Sequence, residues 1–178
     1  MSRVIVLVGK AGSGKSTIAK ELINHNMSIV SFADPIRDMV RTLGLTEQHL
    51  TGDLKEVPCE LLSGQTPRYV LQTLGTDWAR NLIDEKFWVN IWKHKVIKLL
   101  DTGVDVVTDD CRFLNEASAA RSLEGTIFRL ERDVPNIKTH NHQSELQISH
   151  IVADYVIDNN RSCEEVVNDI LNLSESDL

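Results

Sequence analysis

An α/β fold, a parallel sheet of about five strands with helices on both faces and a small lid, is predicted by three observations. Apolar runs of β-branched residues alternate with segments of helical periodicity along the chain, which is the pattern of a parallel sheet covered by helices. A glycine-rich run separates the first strand from the first helix. Ligands of such sheets gather at the carboxyl ends of the strands, where that run lies.

The first strand is read at Arg3 to Val8, R-V-I-V-L-V, an unbroken apolar run suited to burial on both faces. Thr17 to Ile23 carries Ile18, Ala19, Leu22 and Ile23 on helical spacing. A second short strand covers Met27 to Phe32, and Asp34-Pro35 reads as a helix cap with proline at the first helical position, leading into Ile36 to Leu43. Residues 44 to 65 are irregular and polar, with a short helix inside an insertion. Thr66-Pro67 restarts a helix by the same device, Tyr69 to Ile83 is helical with Val70, Leu71, Leu74 and Trp78 apolar, and another helix covers Glu85 to Leu100. Gly103 ends it. Val104 to Thr108 is a strand running into Asp109-Asp110, Asn115 to Leu123 is helical, and Gly125 to Leu130 is a further strand. A polar, basic loop from Glu131 to Glu145 precedes a last strand within Val152 to Ile157. Ser162, with Glu165 three residues on, opens the final helix as a capping box.

A chain of 178 residues supports one full core, so a single domain over 1–178 is expected, with an insertion at about 34–100 and a lid at about 131–145. No apolar stretch reaches membrane-spanning length and no export signal is recognised, so no membrane partner and a cytoplasmic location are expected, the host cytoplasm if a phage encodes the chain. The net charge of −7 argues against a nucleic-acid polymer as partner. Cys59, Cys111 and Cys163 are far apart, outside C-x-x-C pairs, and read as reduced thiols. The sequence is compatible with a monomer or a homodimer.

Gly9-Lys10-Ala11-Gly12-Ser13-Gly14-Lys15-Ser16 fits the phosphate-binding pattern G-x-x-x-x-G-K-[ST] at every fixed position. Glycines let the backbone wrap a triphosphate with its N–H groups inward, and the following helix adds its positive end. Gly9, Ala11, Gly12, Ser13, Gly14, Lys15, Ser16 and Thr17 are therefore the expected site for the phosphates of a nucleoside triphosphate. Lys15 would reach the β- and γ-phosphates and Ser16 a magnesium ion. Asp109 and Asp110 end a buried strand, where an acidic group helps hold that ion. In Thr66 to Arg80, Arg68 and Gln72 share a helix face near Tyr69 and Trp78. Spacing alone allows either a phosphate fork beside a stacking ring or an amphipathic helix with Trp78 in the core.

The segment P-R-x-x-L-Q-x-L-G-T-D-W-x-R from Pro67 to Arg80 resembles the deoxynucleoside monophosphate kinases of bacteriophages. So do S-F-A-D-P-x-R at Ser31 to Arg37, D-x-R-F-x-N-E at Asp110 to Glu116, His142-x-Ser144-Glu145 and D-Y-V-I-x-N from Asp154 to Asn159. The resemblance implies the P-loop kinase fold and transfer of the ATP γ-phosphoryl to the 5′-phosphate of a deoxynucleotide. It makes Asp110 the first choice for magnesium over Asp109. It places Phe32, Asp34, Arg37, Arg68, Gln72, Thr76, Trp78 and Arg80 on the acceptor, Asp34 serving also as helix cap. The acceptor is already an anion, so no general base is needed, and cations must gather round the transferring group. Lys15, Arg112 and Arg132 are the expected catalytic set, with Arg129 a further candidate cation. Asn159 and Arg161, after the last strand, are expected to flank adenine.

Arg132, Lys138, His140 and His142 suit a lid that excludes water. The i,i+2 histidines, with no cysteine near, argue against zinc. Within the enzymes, the rival reading is another small-molecule P-loop kinase such as a dephospho-coenzyme A kinase. Outside them it is a nucleotide-dependent switch or motor, against which stands the absence of an N-K-x-D element.

Overall fold

The computed structural model describes residues 2–133 and 147–176. They form two compact units, Met1–Phe32 with Trp92–Leu178, and Ala33–Ile91.

The first unit is built on a five-stranded parallel sheet in the order β2-β3-β1-β4-β5. Its strands are β1 (Val4–Val8), β2 (Met27–Ile29), β3 (Asp105–Thr108), β4 (Thr126–Glu131) and β5 (Tyr155–Asp158). Every residue of the central β1 is buried, and each such side chain contributes about 1.5–3 kcal/mol over its exposed state. Period-two alternation divides it between two faces. Ile5 and Leu7 pack with Ile18, Ala19 and Leu22 of α1 (Lys15–Leu22) and with Val166, Val167 and Ile170 of α7 (Cys163–Ser176). Val4 faces the opposite side, where Gly125 leads into β4: a Cβ on Gly125 would meet Val4 Cγ1 at 3.3 Å. There α6 (Leu114–Arg121) packs on β1 and β4. Trp92, from α5 (Phe87–Asp101), donates its indole N–H to the Val30 carbonyl (3.1 Å) and to Thr108 Oγ1 (3.0 Å), pinning the ends of β2 and β3 together. Asp154 sets the register of β5, because its backbone N–H bonds Ile127 O and its carboxylate takes the Ile127 N–H, both at 2.8 Å.

The second unit contains α2 (Asp34–Thr42), α3 (Glu47–Leu50), two 3₁₀ turns (Asp53–Glu56 and Glu60–Leu62), α4 (Pro67–Gln72) and the start of α5. Thr66 caps α4 as expected, its Oγ1 accepting the Tyr69 N–H (3.1 Å). The cap expected of Asp34 is not formed. Asp34 is the first helical residue, Ala33 is the cap, and the Asp34 carboxylate takes Arg37 Nη1 (3.2 Å) instead. The single helix expected from Tyr69 to Ile83 is also corrected: α4 ends at Gln72, and Thr73–Ile83 continues as a π-helix. Within it Gly75 lies buried against Ile36, and its carbonyl accepts the Trp88 indole N–H (2.8 Å). Departures of this kind are enriched at functional sites.

Candidate functional site

The glycine-rich run leaves β1 and enters α1, so the sheet delivers its loop to the amino end of a helix. Two glycines are sterically required. A Cβ on Gly9 would lie 2.5 Å from Leu130 O, and one on Gly14, which has φ +88°, would lie 2.3 Å from Asn159 Nδ2. Lys15 begins α1, two residues earlier than the sequence suggests. Its ammonium is folded onto the loop, donating to Gly9 O (2.7 Å) and Lys10 O (2.8 Å). A phosphate chain could offer the same ammonium charge-assisted bonds to anionic oxygens.

At the end of β3 the two aspartates diverge. Asp109 Oδ2 accepts the Ser16 hydroxyl (2.6 Å) and Oδ1 accepts that of buried Ser31 (3.0 Å). Asp110 Oδ1 accepts the Phe32 backbone N–H (2.8 Å). The carboxylate standing at the loop hydroxyl is thus Asp109, and not Asp110, which the resemblance prefers for magnesium. Alternation explains it: Val107 packs in the cluster that holds α1, and Asp109 continues on its face. Ser31 was read only as part of a motif, and its role as a brace for Asp109 depends on a contact distant in sequence. A hydroxyl beside a carboxylate is an all-oxygen donor set that suits magnesium, which keeps most of its waters. Among the described residues no cluster of three or more His, Cys, Asp or Glu side chains could hold a metal alone.

After Asp110, buried Glu116 caps α6 by accepting the N–H groups of Arg112 (2.7 Å) and Phe113 (3.0 Å) through Oε2. The D-x-R-F-x-N-E run thus fixes the turn that carries Arg112. Burial, with Glu116 and Asp110 alongside, pushes the Cys111 thiol well up, so it stays neutral and is no nucleophile.

Other expected site residues have different surroundings. Phe32 is buried and stacks on Trp92, with centroids 4.6 Å apart. Trp78 packs with Ile36, Ala79, Trp88 and Phe87, meeting Phe87 edge-on at 5.7 Å. Both rings belong to hydrophobic cores, which for Trp78 is the amphipathic-helix alternative that the spacing allows. Arg80 donates to Glu85 O (3.2 Å) beyond the π-helix, and Arg161 bonds Asp169 (2.6 Å) on α7. Asn159 gives its amide to the Ser13 carbonyl (2.6 Å) of the phosphate loop. Arg129 donates through Nη2 to the carbonyls of Ile148 and Ile151. Arg132 remains close to the loop, its Nη1 3.9 Å from a Cβ built on Gly14. Arg68 pairs with Glu56, while Gln72 and Thr76 lie half-buried along the same stretch of the second unit. Lys138, His140 and His142, with most of the expected lid, lie outside the described residues.

The family model for deoxynucleotide monophosphate kinases matches residues 47–170. A relative from Acanthamoeba polyphaga mimivirus that bears the same family name is 33% identical over 94% of each chain. The chain belongs to the deoxynucleotide monophosphate kinase family. The kinase of that name from Enterobacteria phage T4 is 31% identical over 59% of this chain, a match spanning 44% of the phage protein. Among solved structures, the dephospho-CoA kinase of Campylobacter jejuni covers the whole chain with a TM-score of 0.53 at 18% identity, a likeness of fold. The P-loop kinase fold and the family read from the motifs both hold. Among the described residues no helix is long and apolar enough to cross a membrane.

Proposed function

We propose that the protein transfers the γ-phosphoryl group of ATP to the 5′-phosphate of a deoxynucleoside monophosphate, giving a diphosphate and ADP. The observation that carries this reading is the family match over residues 47–170, which spans the whole Pro67–Arg80 acceptor segment. The fold alone is shared with kinases of other small molecules.

In this reading the loop from Gly9 to Thr17 binds the ATP phosphates, and Lys15 leaves the Gly9 and Lys10 carbonyls to follow the migrating phosphoryl group. Ser16 and Asp109 would hold magnesium, with Ser31 keeping the carboxylate turned towards them and Asp110 ordering the chain at Phe32. When bound, the ion neutralises charge on the phosphate oxygens. Arg112 and Arg132 supply further positive charge. The acceptor's phosphate oxygen attacks without a general base, so alignment and electrostatics carry the rate. On the acceptor side Arg68 and Gln72 grip the phosphate, with Asp34, Arg37, Thr76 and Arg80 around the nucleoside. The enzyme works as a soluble protein of the cytoplasm, that of the host if a virus encodes it.

The test is ADP release from ATP and magnesium against the four deoxynucleoside monophosphates, their ribose counterparts and dephospho-coenzyme A. Turnover with at least one deoxynucleotide is expected. Turnover with dephospho-coenzyme A alone, or slow hydrolysis with no phosphorylated acceptor, overturns the reading.

Arg68 gives the acceptor side its own expectation. Glu56 pairs with its guanidinium, and in this reading an incoming phosphate competes with that carboxylate. The forked pair formed with phosphate contributes about 1.5–3 kcal/mol per charge-assisted bond. Arg68→Ala should therefore raise the deoxynucleotide KM about tenfold or more with ATP affinity nearly intact, and Arg68→Lys should restore it only partly because the fork is lost. Equilibrium binding of each substrate checks this, and loss of ATP binding instead would move Arg68 to the donor side.

A further inference from the structure

The phosphate loop must keep its N–H groups pointing inward, and one of its peptide units is held from outside by a residue far away in sequence. Asn159, just after β5, is buried and donates its side-chain amide to the Ser13 carbonyl (2.6 Å). A trans peptide is planar, with its C=O and N–H pointing in opposite directions, and no cis peptide occurs among the described residues. Fixing the Ser13 carbonyl on Asn159 therefore aims the Gly14 N–H away from Asn159. Rotation of that one peptide would turn a carbonyl where a donor is wanted, and the Asn159 bond opposes that rotation.

The same residue is anchored to the strand that leads to Arg132. Its backbone N–H bonds Glu131 O (2.7 Å), and its neighbour Asn160 accepts the Asp133 N–H through Oδ1 (3.0 Å). Asn159 and Asn160 thus staple the chain on either side of Arg132, while Asn159 also reaches the loop. Gly14 fits this arrangement because any Cβ there would strike the Asn159 amide.

The geometry points to Asn159 as a positioning residue that latches the Ser13–Gly14 peptide with its N–H towards the triphosphate and ties that peptide to the root of the Arg132 segment. This rests on the loop binding ATP, as proposed above. Asn159 contributes through the peptide it orients, and it makes no contact with the base.

The test compares wild type with Asn159→Asp, whose carboxylate repels the Ser13 carbonyl, and Asn159→Ala, which only removes the donor. Equilibrium binding is measured for ATP, for inorganic tripolyphosphate and for the deoxynucleotide acceptor, with thermal melting as a check on folding. Asn159→Asp should weaken ATP and tripolyphosphate by the same factor, about tenfold or more, and Asn159→Ala by a smaller one, with acceptor affinity within about twofold of wild type. A purely structural residue would lower the melting temperature without separating donor from acceptor. An adenine contact would weaken ATP while leaving tripolyphosphate unchanged. Either result overturns the latch, as do folded variants that bind ATP like wild type or failure of both variants to fold. Wild type that binds neither ATP nor tripolyphosphate would overturn the functional reading instead, which keeps the two failures apart.

Discussion

Lys15→Ala is expected to fold and to lose about a thousandfold or more in kcat, equivalent to about 4 kcal/mol of transition-state stabilisation. The folding half of this expectation comes from where the side chain sits. Lys15 is a half-buried residue at the first turn of α1, and its partners Gly9 O and Lys10 O belong to the loop it serves, so its removal opens no cavity in the sheet. The catalytic half comes from charge. The transferring group spreads negative charge over its equatorial oxygens, and an ammonium delivered by the loop itself is the cation best placed to follow it. The effect should fall on kcat more than on ATP affinity, because the backbone N–H groups of the loop still bind the phosphates. Steady-state kinetics beside a melting curve decide the matter, and near-normal turnover in a folded variant removes Lys15 from the chemistry.

The parts of this site legible in the sequence are those in which local pattern and chemistry coincide. The glycine-rich loop was legible because its φ values and close approaches are met only by glycine, and the five strands because β-branched runs between helical segments have few other readings. The cap at Thr66 and the capping box at Ser162, where Glu165 accepts the Ser162 N–H (3.1 Å) and its carboxyl is held below the usual range by the Ser162 hydroxyl and backbone, follow from side-chain reach alone. What was misread depends on direction. Phe32 and Trp78 each turn towards another ring of their own unit, which spacing cannot decide, and nothing in the spacing of residues 66–80 announces the change from α to π geometry at Thr73. The Asn159 contact was not legible either: its partner Ser13 lies at the other end of the chain, and only the parallel pairings of β1 with β4 and of β4 with β5 bring the two together.

The choice between Asp109 and Asp110 shows that limit at single-residue scale and yields the second large effect. The two carboxylates are adjacent in sequence and equally placed at the end of a buried strand. Strand parity separates them, but a sequence does not say which face of β3 looks towards α1. With Asp109 bonded to Ser16 and Ser31, Asp109→Asn keeps the shape and one oxygen acceptor while removing the negative charge beside the loop hydroxyl. It should raise the magnesium concentration for half-maximal activity about tenfold or more and lower kcat about a hundredfold. Asp110→Asn keeps an oxygen that can still accept the Phe32 N–H, so its magnesium requirement should stay within about twofold of wild type. Ser31→Ala should fall between them, because Asp109 keeps its charge and loses only one brace. Magnesium titrations of the three variants at saturating ATP and deoxynucleotide test that order, and a larger shift for Asp110→Asn than for Asp109→Asn would return the metal role to Asp110.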